Sequence, residues 1–477
     1  MHVIGYSILD LGNENKRIAE LELLLKTALN EIERLKAENA ALRETIARLE
    51  KNSGNSSKPP SSDIVKPPKT LKSKRKRKIG AQKGHKQNLR KPFDQTQVDK
   101  TIELKLEVCP VCSENLQTSD RPMNIHQQIE LVDKPYIVTE YQSPWYWCDH
   151  CNSFHTAKLP EDVRKAGLFG PKLMALTAYL KGCGHMSYKT IQAFFSDVLT
   201  INVSTGFLVK QVCKVSEALL RPYQELLDQL PHEKHLHVDE TGGKENGKKR
   251  WNWCFRGGKI TVFHVNPSRG SSVLEKLLGT GYAGIISCDF WGAYRKFSRL
   301  GLVVLQFCWA HLIREVKFLA ESKDKHVSGY GKRLLTAIQS MFSTIHHQEK
   351  ILERNWHRRM VKHREAILWE SRHRLPKNKD ANNIAERLWK WQQEYFRFID
   401  AGIPATNNPG EQSIRRVVID RKVTQGTRSD WGNRWLERIW SVLATCEQRR
   451  TNAMSFLKSC IDASLHGFAP PSLLDNY

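Results

Sequence analysis

Between Ile18 and Leu49 the apolar positions recur in alternating steps of three and four without a break. Ile18, Leu25, Ile32, Asn39 and Ile46 fall at a positions of a heptad, and Leu21, Ala28, Leu35, Leu42 and Leu49 at d. A repeat of ~3.5 residues keeps one seam against a partner, so the pattern predicts a leucine-zipper coiled coil over 1–50. Ile at a with Leu at d favours two parallel strands, and a single Asn at a sacrifices stability but sets register and strand number. Arg17–Glu22, Glu31–Lys36 and Glu38–Arg43 would pair attractively as g to e′ across that homodimer. The competing reading is an amphipathic helix laid on its own globular domain, against which the mostly polar b, c and f positions speak.

The pattern then breaks. Residues 51–63 (KNSGNSSKPPSSD) hold no large apolar side chain and open a flexible linker with a basic tract, 51–100. A module over 101–160 follows, with strand-like runs IHQQIELV and YIVTEYQS. Helical periodicity marks 161–230, in PKLMALTAYLKG and SEALLRPYQELLDQL, as a connecting or DNA-binding region. From 231 to 320 the period shortens: HLHVDE, RWNWCF and KITVFHV read as a meander, with the glycines of TGGKENGKK and RGGK at its turns. A short helix, SSVLEKLLG, precedes the buried strand GIISCD, and VVLQFCWAHLIREVKFLAE runs from strand into helix. The span 321–401 is a basic, Trp-bearing helical insertion, and 402–477 completes the core with a helix opened near Asn408. The whole is a multidomain α/β chain.

Charge narrows the function. The 477 residues carry 75 Lys+Arg against 50 Asp+Glu, a net +25, which points to a polyanionic partner. Hydrophobic residues at 40% exclude a wholly disordered chain. The start, MHVIGYSILD, does not read as a secretory signal, and nowhere do ~18 apolar residues run together, so a soluble intracellular protein without membrane contact is expected. Residues 64–91 contain no acid and include Lys74, Arg75, Lys76, Arg77 and Lys78, a run that would stay unfolded until it meets phosphates. A solvated tail is the alternative. Cys109-Pro-Val-Cys112 and Cys148-Asp-His-Cys151 have the spacing of two knuckles that close a structural four-thiolate Zn2+ site. His150 and His155 stand near enough to substitute, and a redox pair or an iron–sulfur cluster lacks its usual surroundings.

Asp239 and Asp289 each end a strand, which is where hard oxygen ligands for two divalent cations ~3.5–4 Å apart would stand. Alternation puts Asp239 on the face of His237 and leaves Glu240 for solvent or a basic partner. A strand-end Asp is also an ordinary turn residue or helix cap. Glu411 fits position N3 of a helix capped by Asn408, so it competes between ligand and capping box. Arg415, Arg416, Arg421 and Lys422 downstream suit DNA phosphates. Trp389 and Trp391 suit base stacking or, more commonly, helix packing. Cys308 and His311 lie one helical turn apart as ligands could, but with no second pair nearby, packing and an orienting hydrogen bond are the preferred reading.

These motifs, taken in order, resemble the transposases of the IS66 family of bacterial insertion sequences over nearly the whole chain. The resemblance rests on the zipper, NSSKPPSSD, CPVC with CDHC, Val238-Asp-Glu-Thr241, Ser287-Cys-Asp289 with Tyr294, Cys308-Trp-Ala-His311, Asn407-Asn408 with Glu411, and Leu443-Ala-Thr-Cys446. It implies a DDE transposase with an RNase H-like core. Asp239, Asp289 and Glu411 would hold two Mg2+ ions, with Mn2+ able to replace them, to cut the inverted-repeat ends and join them to target DNA. It also implies a homodimer or larger assembly on DNA, small accessory proteins of the same element, and a bacterial cytoplasm. The alternatives are a non-catalytic dimeric DNA-binding protein and an RNase H-like nuclease. The chain departs from the family pattern at Gln412, where Arg commonly follows the glutamate, and at Gly410, where Ala is common.

Overall fold

The computed structural model of the chain describes residues 8–50, 92–104, 106, 110–115 and 125–474. Lys74, Arg75, Lys76, Arg77, Lys78 and Cys109 lie outside the described residues. Two compact units are present, with bounds Met1–Pro68, Pro160–Ala193 and Val203–Tyr477 for the larger and Lys69–Leu159 with Phe194–Asn202 for the smaller. Among the described residues no helix is long and apolar enough to cross a membrane.

Helix α1 (Ile8–Glu50) is continuous, and Ile18, Leu21, Leu25, Ile32, Leu35, Leu42 and Ile46 along it are exposed. In the smaller unit, β1 (Trp145–Cys148) and β2 (Ser153–Thr156) form an antiparallel hairpin. The runs expected as strands at 125–132 and 136–143 are instead irregular. Alternation makes a strand only where a partner buries one face, and Ile129, Leu131, Ile137 and Val138 remain exposed.

The larger unit continues with α2 (Glu161–Ala166), α3 (Pro171–Lys181), the first part of α4 (Tyr188–Leu199), whose residues from Phe194 belong to the smaller unit, α5 (Thr205–Ala218) and α6 (Leu220–Gln229). A mixed sheet follows: β3 (His235–Glu245), β4 (Lys248–Arg256) and β5 (Thr261–Asn266), then α7 (Ser271–Leu278), β6 (Ile285–Cys288), α8 (Gly292–Leu300) and β7 (Val304–Phe307). Its order is β5-β4-β3-β6-β7, antiparallel through the meander and parallel from β3 to β6 and β7. The β3–β4 turn is Asn246-Gly247, both at positive φ, as a two-residue hairpin loop requires. Gly242 and Gly243, expected at that turn, lie inside β3. At Gly243 a Cβ would stand 2.6 Å from the Asn252 amide nitrogen, so the close approach accounts for the glycine.

From β7 the chain enters α9 (Trp309–Ala320) and the helical insertion α10 (Lys325–His346), α11 (Glu353–Arg372), α12 (Lys379–Lys390), α13 (Gln392–Phe396) and α14 (Phe398–Ala401). The insertion is tied back to the sheet at Tyr395, whose carbonyl accepts Trp309 Nε1 at 2.6 Å and Gln306 Nε2 at 3.2 Å. Helices α15 (Asn408–Thr424), α16 (Asp430–Arg449) and α17 (Ala453–His466) end the chain. Helix α16 closes the exposed edge of β5. Glu437, Ser441 and Thr445 accept the N–H groups of Val265, Phe263 and Thr261 at 2.7, 2.8 and 3.1 Å. The match is geometric: four helical residues advance ~6 Å, and two strand residues ~6.6 Å.

Candidate active site

The parallel register of β3 on β6 pairs His235 with Ile285 and His237 with Ser287. Two residues further along, inside β3 and just past the end of β6, that register brings Asp239 level with Asp289. Asp239 Oδ1 accepts its neighbour's N–H, from Glu240 at 2.9 Å, and Asp289 Oδ1 accepts that of Trp291 at 3.1 Å. Glu411 arrives from the first turns of α15. The expected capping box is absent: α15 is capped at Asn407, so Glu411 is its fourth residue. The Asn407 side chain is occupied elsewhere, donating to the Val238 carbonyl at 2.8 Å and lying 3.0 Å from His237 Nδ1. Asn407 thereby fastens the start of α15 to β3 beside Asp239, and Glu411 is not consumed by its own helix end. Its Oε1 lies 3.9 Å from Cys308 Sγ, 3.5 Å from His311 Nδ1 and 3.8 Å from an Arg314 nitrogen.

The three carboxylates line one cavity of about 1230 Å³. Asp289 and Glu411 open onto it with 27% and 26% exposure. Burial, followed by the charges of Glu240, Asp289 and Glu411, holds the Asp239 carboxyl well above its ordinary range. Among the described residues no basic side chain forms an ion pair with Asp239. Burial also raises Asp289, opposed by Arg269. Negative charge at the floor of the cavity is thus under-compensated, and an all-oxygen donor set of this kind suits a hard divalent cation.

Glu240 does not meet solvent. It is buried, accepts the Tyr294 hydroxyl, and takes the basic partner that alternation allowed, Arg269 Nε, at 2.8 Å. Burial and then Asp289 push it up to about 7. Arg269 also reaches to 3.9 Å from Asp289, and its guanidinium lies 4.7 Å from the Trp251 ring centroid and 4.1 Å from that of Trp291. Nothing in the local sequence separates Arg269 from the other cations; the turn after β5 delivers it. Arg295, Arg314 and Arg387 are likewise lining residues that no local pattern marks.

Of the basic residues read from the sequence, Arg415, Arg421 and Lys422 line the cavity. Arg421 also donates to Thr241 Oγ1 at 3.2 Å and to the Gly242 carbonyl, latching α15 to β3. Arg416 is not among the lining residues and pairs with Glu447. Gln412 is exposed and does not line the cavity. Trp391 lines it and packs on Phe290 and Phe307. Trp389 is 49% exposed under the Arg372 guanidinium. Beside Glu411, burial pushes the Cys308 thiol up to about 11, and burial with Arg314 and Arg387 pushes His311 down to about 3.

In the smaller unit the β1–β2 turn carries Cys148 and Cys151. Their sulfurs and a His155 nitrogen lie within 4.8 Å of one another, with His155 Nε2 2.9 Å from Cys151 Sγ. The Cys151 amide, then its side chain, then the His150 amide lower the Cys148 thiol. Cys112 is exposed and stands outside that group.

Residues 166–434 match the family model described as Transposase IS66 family, a span that contains Asp239, Asp289 and Glu411. Residues 12–91 match a family of unknown function. No curated protein matches the chain.

Proposed function

The chain belongs to the IS66 family of transposases, and on that premise we propose that it cuts the ends of an insertion sequence and joins the freed 3′-hydroxyls to target DNA at Asp239, Asp289 and Glu411. The observation that carries this reading is the meeting of three carboxylates, remote in sequence, in one cavity rimmed by arginine and lysine. The sheet supports an RNase H-like core, with an antiparallel meander extended by parallel strands and acids on the central strand β3 and just past its neighbour β6.

Two Mg2+ ions, or Mn2+, held by these carboxylates would supply Lewis acidity to the attacking and leaving oxygens of an in-line displacement. The chain's own side chains position and neutralise. Arg415, Arg421 and Lys422 hold backbone phosphates along the cavity. Arg269, oriented by Glu240 and by the Trp251 and Trp291 rings, offsets charge near Asp289. Water cleaves the first phosphodiester and releases a 3′-hydroxyl. That hydroxyl attacks a target phosphodiester, forming one P–O bond as another breaks, with no protein–DNA bond.

The exposed apolar seam of α1 supports a parallel coiled-coil homodimer, the Cys148–Cys151 turn supports a structural Zn2+ site for which Cys109 and Cys112 are the further ligands the sequence spacing offers, and Lys74, Arg75, Lys76, Arg77 and Lys78 add phosphate contacts. Small accessory proteins and a place on the bacterial nucleoid complete the reading. The test is incubation of purified protein with labelled element ends, Mg2+ and a plasmid target. Joined product is expected and should vanish in Asp289→Asn while DNA binding persists. Nicks alone would indicate a nuclease, and a gel shift without either would indicate a non-catalytic DNA-binding protein.

A further inference from the structure

Cys308 and His311 bracket the first turn of α9, and the fold adds the partner that their spacing lacked. The Cys308 sulfur, a His311 ring nitrogen and a Glu411 carboxylate oxygen all lie within 4.8 Å of one another. The separations from Glu411 Oε1, 3.9 Å to sulfur and 3.5 Å to Nδ1, are near the ~3.3–3.6 Å edges of a tetrahedral zinc site with ordinary bond lengths. His311 Nδ1 is buried and has no hydrogen-bond partner among the described residues. Cys308 is the N-cap of α9, and its sulfur accepts the Asn407 N–H at 3.1 Å. Such an amide donor is what a metal-bound thiolate uses to spread its charge.

We propose that Cys308, His311 and Glu411 form a soft-cation site that prefers Zn2+ to Mg2+ and draws on the same carboxylate as the catalytic pair of aspartates. The preference follows from the donors: thiolate and imidazole suit zinc, whereas Mg2+ requires an octahedral oxygen shell. Three protein ligands leave a fourth position open toward the cavity, which His311 and Glu411 line. Arg314, 3.8 Å from the same carboxylate, keeps the affinity below that of a four-thiolate site. Zinc occupancy would hold Glu411 on α9 and suppress catalysis until Mg2+ displaces it, a consequence that rests on the catalytic reading of Glu411.

Zinc bound per chain is counted by competition with a chromophoric chelator on the full-length protein, alongside zinc-edge anomalous diffraction. The wild type is expected to hold one zinc more than Cys308→Ser, with an anomalous peak between the three side chains. His311→Gln, with its fold checked by thermal melting, serves if Cys308→Ser does not fold, and should weaken that zinc by at least the ~10–100-fold that loss of a supporting partner costs. Equal counts in wild type and variants, or no peak at this position, overturn the site. Inhibition of Mg2+-dependent cleavage by zinc should shift to higher zinc concentrations in Cys308→Ser and as Mg2+ rises. Absence of any cleavage in the wild type would defeat the transposase reading, while the zinc count would still decide the site.

Discussion

A carboxylate such as Asp239, ringed by protein and facing three other acids, destabilises the folded chain whenever it is ionised and uncompensated. Its folded pKa lies above the unfolded value, so the stability it contributes is present in acid and is lost as pH rises through the folded pKa. Glu240, pushed to about 7, has the same sign. Metal-free protein is therefore expected to melt at a lower temperature at about pH 8 than at about pH 5, with Mg2+ raising the melting temperature mainly at the higher pH. Scanning fluorimetry in EDTA and in Mg2+ checks this, and an equal Mg2+ shift at both would refute it. Asp239→Asn should stabilise the metal-free protein at about pH 8. The same variant should lower strand cleavage by about 10³-fold, the scale of losing a charge-stabilising group. Asp289 was legible as a strand-end acid, whereas Asp239, expected at the end of a short strand, lies inside β3, which pairs with β4 as far as Glu245. The burial of Glu240 was not, because alternation specifies a face and says nothing of what covers it.

At the scale of elements, the junction of α16 with β5 replaces a missing neighbour strand by three side-chain acceptors. Ser441→Ala leaves the buried Phe263 amide without its partner and should cost ~1–3 kcal/mol in urea unfolding. An unchanged midpoint would mean that water or a neighbouring group replaces the hydroxyl. Helix α1 presents the converse case, an apolar seam exposed in the single chain. Leu25→Asp combined with Leu35→Asp should convert a dimer to a monomer in sedimentation velocity, and a dimer that survives both would place the interface elsewhere. The heptad and the helical insertion were readable because their periods are local. The strands expected at 125–143 are absent because, among the described residues, no strand of the smaller unit pairs with them, and Gly242 and Gly243 misled because glycine marks close approach as well as turns.

Across the whole molecule, the +25 charge matters chiefly where the fold concentrates it. Arg415 and Lys422 belong to the cavity, whereas Arg416, next to Arg415 in sequence, is turned to Glu447. Replacing Arg415 and Lys422 together by Ala should weaken DNA binding and reduce the slope of log affinity against log salt by ~0.9 for each phosphate that is no longer neutralised. Arg416→Ala should leave that slope unchanged. Fluorescence anisotropy over a salt series measures both, and equal slopes for the two variants would remove the cavity as the phosphate path.

Local periodicity and short spacings were enough for the helix of α1, the Cys148–Cys151 turn, the meander and the order of its acids, because each is governed by neighbours a few residues apart. The convergence of Asp239, Asp289 and Glu411 depends on a parallel strand register and on Asn407 reaching back to Val238, an arrangement of segments that no local pattern relates. So does the meeting of Cys308 and His311 with Glu411, and the separation of Arg415 from Arg416. Side-chain chemistry is written along the chain, but which charges share a low-dielectric space is a property of packing, and that space sets what those charges can do.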